Sequence, residues 1–383
     1  MTMSQQNAAQ IAQAQAHAAL HAEPLGVMAD MPGSWLAFGR EGLPFDKGVQ
    51  PLLDAHARDG GGIDDIDVAD LRQWPVGASE DGASLVLGDL AARRAYKLRR
   101  TAWSGLAARL SLGEGASDLL LKRLPPQIQL ANLNAMLRRA PEKIPATLRI
   151  RNGEVLAVVS DRYAPIDTPD MVSMVRSALK ADGLLEAATV SAVGWGGRDL
   201  VRVTFPSMTK DIGAARKVGD MVARGIDFRN GSWGGSAVSV LTNTMRLVCL
   251  NGMTRNEPGT AWHFRHVGTR EKIEGKVREA IPAAVRESGE MVDRFEMALG
   301  LEINSLAALF APLRDVLQVS EQDMLRTHLK REMAVPLLEP KAAIPLFDAI
   351  NAMTAMAQEL GNERRVMVES AAGELLYNRT RAA

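Results

Sequence analysis

The spacing of apolar residues along this chain shifts between helical and strand-like periods, and those shifts outline its elements. Leu90, Ala91, Tyr96 and Leu98, then Trp103, Leu106, Ala107 and Leu110, recur at roughly helical spacing, which predicts helix from near Leu87. Ser117 with Asp118 is expected to cap a helix carrying Leu119, Leu120 and Leu121, which Pro125-Pro126 ends. From Ala146 the period becomes two: Leu148, Ile150, Val155, Ala157 and Val159 surround an Asn152-Gly153 pair, the strongest short-range hairpin signal. Thr168, as cap, and Pro169, at the first position, open a helix that runs through Met171, Met174, Val175 and Leu179 to Gly183. A second hairpin is predicted from Thr189–Val193 through the 194–197 turn to Leu200–Phe205. A third runs from Met221–Phe228 across residues 230–235 to Ala237–Leu241 and on through Met245–Leu250. After Arg270 the stripe Val277, Ile281, Val285, Met291, Phe295 and Leu299 is helical.

This order predicts an α+β fold, an antiparallel sheet of hairpins with helices packed on it and a helical C-terminal region, rather than a run of parallel βαβ units. No repeat of fixed period interrupts it. The first stretch stands apart. An Ala/Gln segment precedes Pro24, Pro32, Pro44 and Pro51, the Gly60-Gly61-Gly62 run and an acidic patch at Asp64, Asp65, Asp67 and Asp70. Residues 1–84 are therefore expected to be peripheral and partly irregular, 85–270 to form the core, and 271–383 to be helical.

Charge refines that outline. The 383 residues carry 45 basic and 45 acidic side chains, so the chain is not a uniformly basic nucleic-acid coat. Residues 1–80 hold 4 basic and 11 acidic side chains, whereas residues 81–150 hold 12 and 5, and residues 201–270 hold 10 and 4. Electrostatic function must be regional. A single cysteine, Cys249, excludes a disulfide framework and fits a reducing compartment. Met1–Leu20 lacks the basic start and apolar stretch of a signal peptide, and no apolar run approaches membrane-spanning length. A cytoplasmic protein without a membrane partner is the expectation.

Familiar catalytic signatures are missing from the sequence. Gly275-Lys276 is followed by Val277 and is not a phosphate-cradling P-loop, and Gly194-Trp195-Gly196 is a hairpin turn. His263 and His266 lack a third ligand nearby, and His17 and His21 share one helical face in an Ala/Gln segment; no metal or cofactor is expected at either. Cys249, between Val248 and Leu250, reads as a small buried hydrophobe. Asp161 and Asp167 flank the Arg162-Tyr163 turn and suit turn or cap hydrogen bonds.

Basic side chains interleaved with tryptophan offer a different chemistry. Lys210, Lys217, Arg224, Arg229 and Arg246 lie in the hairpin region with Trp233, and Asn230 stands at the mouth of the Gly-rich turn; Arg162 follows the first hairpin. A cationic groove with ring faces for stacking is how proteins hold single strands. Alternation places Arg224, Ile226 and Phe228 on one face of their strand and Gly225, Asp227 and Arg229 on the other. Arg93, Lys97 and Arg100, four and three residues apart, are predicted to form a second basic stripe on a helix, with Tyr96 and Trp103 in the core.

Several ordered blocks carry a family resemblance. LLLKRLPPQIQLANLN from Leu119, LRIRNGEVLAVVSDRYAPID from Leu148, RGIDFRNGSWGGSAVSVLTNTMRLVCLNGM from Arg224, Asn351-Ala352-Met353-Thr354, and ESAAGELL from Glu369 resemble the phage- and plasmid-related family of domain of unknown function 932. The resemblance spans about residues 85–380 and implies a mobile-element setting without fixing a chemistry. Gly234-Gly235 stands where many members have Asp-Gly. In order of elements, residues 146–298 are also similar to phage single-strand annealing recombinases of the RecT and Redβ type, a fold-level analogy. Together these readings point to a non-enzymatic protein that binds single-stranded DNA as a homo-oligomer in recombination or replication. Two alternatives stay open: an enzyme acting on a phosphorylated ligand or nucleic acid end near Asp161, Arg162, Tyr163 and the 230–235 turn, and a host-interaction protein without DNA affinity.

Overall fold

The computed structural model describes residues 25, 34–38, 41–58, 62–196, 198–212, 221–234, 236–246, 251–255, 261–335 and 339–382, without the side chains of residues 246, 251–255, 362 and 363. His17, His21, Lys217 and Cys249 lie outside the described residues, and of Arg246 only the backbone is described. The fold is α+β, and the chain divides into two compact units.

The first unit is built on residues 60–163 and includes Trp233 and Gly234. Its six-stranded sheet runs in the order Asp64–Val68, Ala146–Arg151, Glu154–Val159, Arg94–Leu98, Leu85–Asp89, Val76–Ala78. Every pairing is antiparallel except Arg94–Leu98 with Glu154–Val159. The Asn152-Gly153 hairpin forms as expected: both residues have positive φ, 52° and 78°, the backbone a two-residue turn of this hand needs. Leu85, Leu87, Tyr96, Leu98, Leu148 and Val155 bury against Trp103 and Leu106 of helix Arg100–Arg109 and Leu133 of helix Pro126–Arg139.

The helix predicted from Leu87 through Leu98 is instead a hairpin. The Asp89 carboxylate accepts from the backbone N–H of both Ala91 and Ala92, at 3.0 Å each, and fixes a turn that Arg93 completes with φ of 53°. Arg93, Lys97 and Arg100 therefore share no helical stripe: they occupy the turn, the returning strand and the first position of the next helix. The next helix is Glu114–Arg123 with Gly113 as cap, and Ser117 instead accepts from Trp103 Nε1 at 2.6 Å.

The described residues between 34 and 80 hold more regular structure than the Pro and Gly content of the segment suggests. Phe45–Arg58 is a helix despite Pro51, because Phe45, Val49 and Leu52 recur at helical spacing and bury in the core of the second unit. The acidic patch becomes an edge strand, with Asp65 3.0 Å from Arg149 Nε and Asp67 accepting from the Thr147 hydroxyl at 2.8 Å.

The second unit holds an eight-stranded antiparallel sheet whose main path runs Ser34–Ala37, Thr189–Trp195, Asp199–Asp211, Met221–Asn230, Val238–Arg246, Asn251–Arg255. Both predicted hairpins are present in it, Thr189–Trp195 pairing with Asp199–Asp211 and Met221–Asn230 with Val238–Arg246, and Phe205 and Thr209 flank a bulge. One sheet face buries Val201, Val203, Phe205, Ile226 and Phe228 under helices Thr168–Ala181 and Arg270–Met297. Asp167, one residue earlier than expected, caps the first of these, leaving the Thr168 hydroxyl to donate to Asp199 at 2.6 Å. The far end of helix Arg270–Met297 enters a second core with Val222 and helices Val319–Glu332, Leu346–Ala357 and Asn362–Arg381. No helix among the described residues is long and apolar enough to cross a membrane.

Candidate nucleic-acid interface

Strand Met221–Asn230 organises the predicted basic residues, and its alternation divides them. Ile226 and Phe228 enter the core, so Arg224 lies on that face at the level of helix Arg270–Met297. Arg229 and Asp227 lie on the opposite face. The two arginines cannot grip the same stretch of a ligand.

Arg229 belongs to a buried ionic network. Arg202 Nε and Nη2 donate to the two Asp227 oxygens at 2.9 Å each, and its Nη2 also donates to Glu369 at 2.6 Å. Asn243 and Arg229 donate to Asp227 at 2.7 and 3.2 Å, and Arg365 donates to Glu369 at 3.0 Å. The Trp35 ring lies 5.1 Å from the Arg202 guanidinium and 4.1 Å from that of Arg365. Burial opposes every charge here. For Arg202 the two carboxylates overcome it and hold the guanidinium above its ordinary value, and Arg202 in turn holds Asp227 below the usual carboxylate range. Burial prevails at Arg229 and Arg365, whose values fall. Three cations against two anions, enclosed between the sheet and helix Asn362–Arg381, fasten that helix in register. Glu369 opens one of the family-like blocks, but no periodic or motif signal in the sequence joined it to Arg202 or Arg365.

Arg224 has a different setting. Its side chain crosses helix Arg270–Met297 at Gly289, where an added Cβ would stand 2.8 Å from the guanidinium carbon. A mid-helix glycine costs about 1 kcal/mol relative to alanine, so this close approach gives it a reason. Arg224 makes no ion pair among the described residues and lines an open groove of about 390 Å³ with Arg286, Asp182, Leu184, Met208 and Pro282.

None of the other predicted residues that are described is among the residues lining that groove. Lys210 pairs with Asp293 at 2.9 Å and Glu296 at 2.6 Å at the surface. Asn230 is fully buried and donates to the Ile166 carbonyl at 2.8 Å. Trp233, offered by the sequence as a ring face for stacking, is only 5% exposed within the first unit, with the Arg151 guanidinium 5.2 Å from its ring. Gly234 beside it has φ of 83° and sits where a Cβ would meet Val159 at 2.5 Å, so close packing explains both. Arg162 is exposed in the turn after strand Glu154–Val159, and Lys97 pairs with Asp81 at 3.0 Å. Ser239 and His263 sit opposite each other on paired strands with Oγ and Nδ1 2.7 Å apart; burial, then the Arg229 charge, pushes the ring below its ordinary value. His266 is buried, with Nδ1 3.1 Å from the Ala164 carbonyl. Among the described residues no group of three or more His, Cys, Asp or Glu is placed to hold a metal ion.

Comparison with known proteins agrees with the family resemblance over part of the chain. The family model for a domain of unknown function, DUF932, matches residues 155–336, which takes in the Arg224 strand and the long helix beneath it. No curated protein and no solved structure matches the chain.

Proposed function

We propose that this chain is a non-enzymatic nucleic-acid-binding protein that takes single-stranded DNA by its phosphates. It would act in recombination or replication as a cytoplasmic homo-oligomer, in the phage or plasmid setting that the family resemblance implies. The observation that carries this reading is the Arg224 guanidinium, held over Gly289 with no ion pair among the described residues and sharing an open groove with Arg286. An arginine fork matches a phosphate in charge and geometry, and two such forks in one groove suit successive phosphates. The Leu184, Met208 and Pro282 walls are aliphatic, which suits sugar contacts and leaves bases free to pair.

The test is fluorescence anisotropy with a labelled oligothymidine across a salt series. The parent should bind at low salt with a steep salt dependence. Arg224→Ala with Arg286→Ala should weaken binding at least about ten-fold and reduce the log–log salt slope by about 1.4, roughly 0.7 for each phosphate no longer neutralised. Absence of binding at low salt, or a double variant that binds like the parent, overturns the assignment.

A further inference from the structure

A second groove lies in the C-terminal helices, and none of the basic residues the sequence singled out lines it. It has a volume of about 540 Å³, inside the range of roughly 300–1,000 Å³ typical of ligand sites. Leu306, Phe310 and Pro340 line it with apolar surface, and Arg314, Arg326 and Lys330 with charge. Arg326 and Lys330 are four residues apart on helix Val319–Glu332 and so share a face. The charge of the lining is entirely positive.

The cations are poorly neutralised. Among the described residues Arg326 pairs only with Asp323, at 2.6 Å, itself 68% exposed, and such surface pairs are worth little and exchange readily. Arg314 and Lys330 make no ion pair among the described residues. The guanidinium of Arg326 already covers the Phe310 ring, with its carbon 5.0 Å from the ring centre. A base seeking a stacking platform finds that face taken, whereas aliphatic or aromatic side chains fit the apolar lining.

We infer that this groove docks an acidic peptide segment of a partner protein, with one or two apolar side chains against Leu306, Phe310 and Pro340 and carboxylates toward Arg314, Arg326 and Lys330. This assignment is independent of the Arg224 groove and uses none of its residues. Peptide recognition of this kind divides the work: apolar anchors contribute affinity, and the charged rim sets on-rate and partner choice.

The probe is a fluorescein-labelled peptide of four aspartates followed by Leu-Phe, titrated with the full chain at low ionic strength. Two control peptides replace the aspartates by serines or the Leu-Phe by Ser-Ser. The parent should bind the probe, and each control should bind at least about ten-fold more weakly. Arg314→Glu with Lys330→Glu should lose at least the same factor while melting like the parent; the single Lys330→Glu should lose part of it. Failure of the parent to bind, equal binding of either control, or unchanged binding by the charge-reversed proteins overturns the proposal. Displacement of the probe by an oligonucleotide that binds the parent but not the charge-reversed pair would make nucleic acid the occupant and also overturn it.

Discussion

Gly289→Ala separates binding from stability at the Arg224 groove. The new Cβ would lie 2.8 Å from Arg224 Cζ, 2.9 Å from Nη1 and 3.2 Å from Nε. Comfortable contacts between such atoms begin near 3.5 Å, so the guanidinium must withdraw by about an ångström. It is the far end of a flexible side chain and faces an open groove, so withdrawal is cheap. Replacing glycine by alanine in a helix interior meanwhile stabilises by up to about 1 kcal/mol. Urea melts should therefore show unchanged or slightly higher stability. Binding should move the other way: a hydrogen bond to a charged group is worth about 1.5–3 kcal/mol, so releasing one phosphate should weaken single-strand affinity roughly ten-fold or more, with the salt slope falling by about 0.7. A melt lowered by more than about 1 kcal/mol would mean that packing pins Arg224 in place. A stable variant with parental affinity and salt slope would mean that Arg224 touches no phosphate. Either result refutes the reasoning.

Two further perturbations test the scaffold. Glu369→Gln leaves Arg202 and Arg365 buried with one carboxylate fewer and should lower the urea-derived unfolding free energy by about 3–5 kcal/mol; a loss under about 1 kcal/mol would mean that the helix is held by its apolar contacts alone. The Arg72 guanidinium, aided by the Arg72 and Ile144 backbone N–H groups, holds the Asp70 carboxyl down at about 2, from an ordinary 3.8. Its contribution is therefore fully present above pH 3.8 and is lost as pH falls through about 2, so Asp70→Asn should flatten the acid limb of thermal melting; an unchanged acid limb would assign that limb to other carboxylates.

What was legible in the sequence follows the range of the interactions involved. The Asn152-Gly153 hairpin, the two hairpins after it and the long helix after Arg270 rest on local periodicity and turn chemistry, and they form where that chemistry acts. The helix misread from Leu87 fails for an equally local reason: Leu85, Leu87, Tyr96 and Leu98 fit a period of two once Asp89 is seen to fold the turn, and Ala91-Ala92 hides that turn behind good helix formers. Pro51 similarly obscured the stripe Phe45, Val49 and Leu52. The ionic network was out of reach, because Arg202 meets Asp227 across 25 residues and Glu369 across 167. Nothing in the local spacing announces such a partner.

The same distinction governs the basic residues. Alternation alone places Arg224 and Arg229 on opposite sides of one strand, but which charge remains available depends on what covers each side. Helix Asn362–Arg381 brings Glu369 to the side of Arg229, where Asp227 and Arg202 already compete, and the result is a closed network. Helix Arg270–Met297 brings Gly289 to the side of Arg224, which makes room for a guanidinium and supplies no carboxylate to it. Two arginines five positions apart thus acquire opposite roles from the chemistry of the helices laid over them. A run of positive charge in a sequence is therefore open to a ligand only where the covering element leaves it unanswered, and among the described residues Arg224 and, in the C-terminal helices, Arg314 and Lys330 make no ion pair.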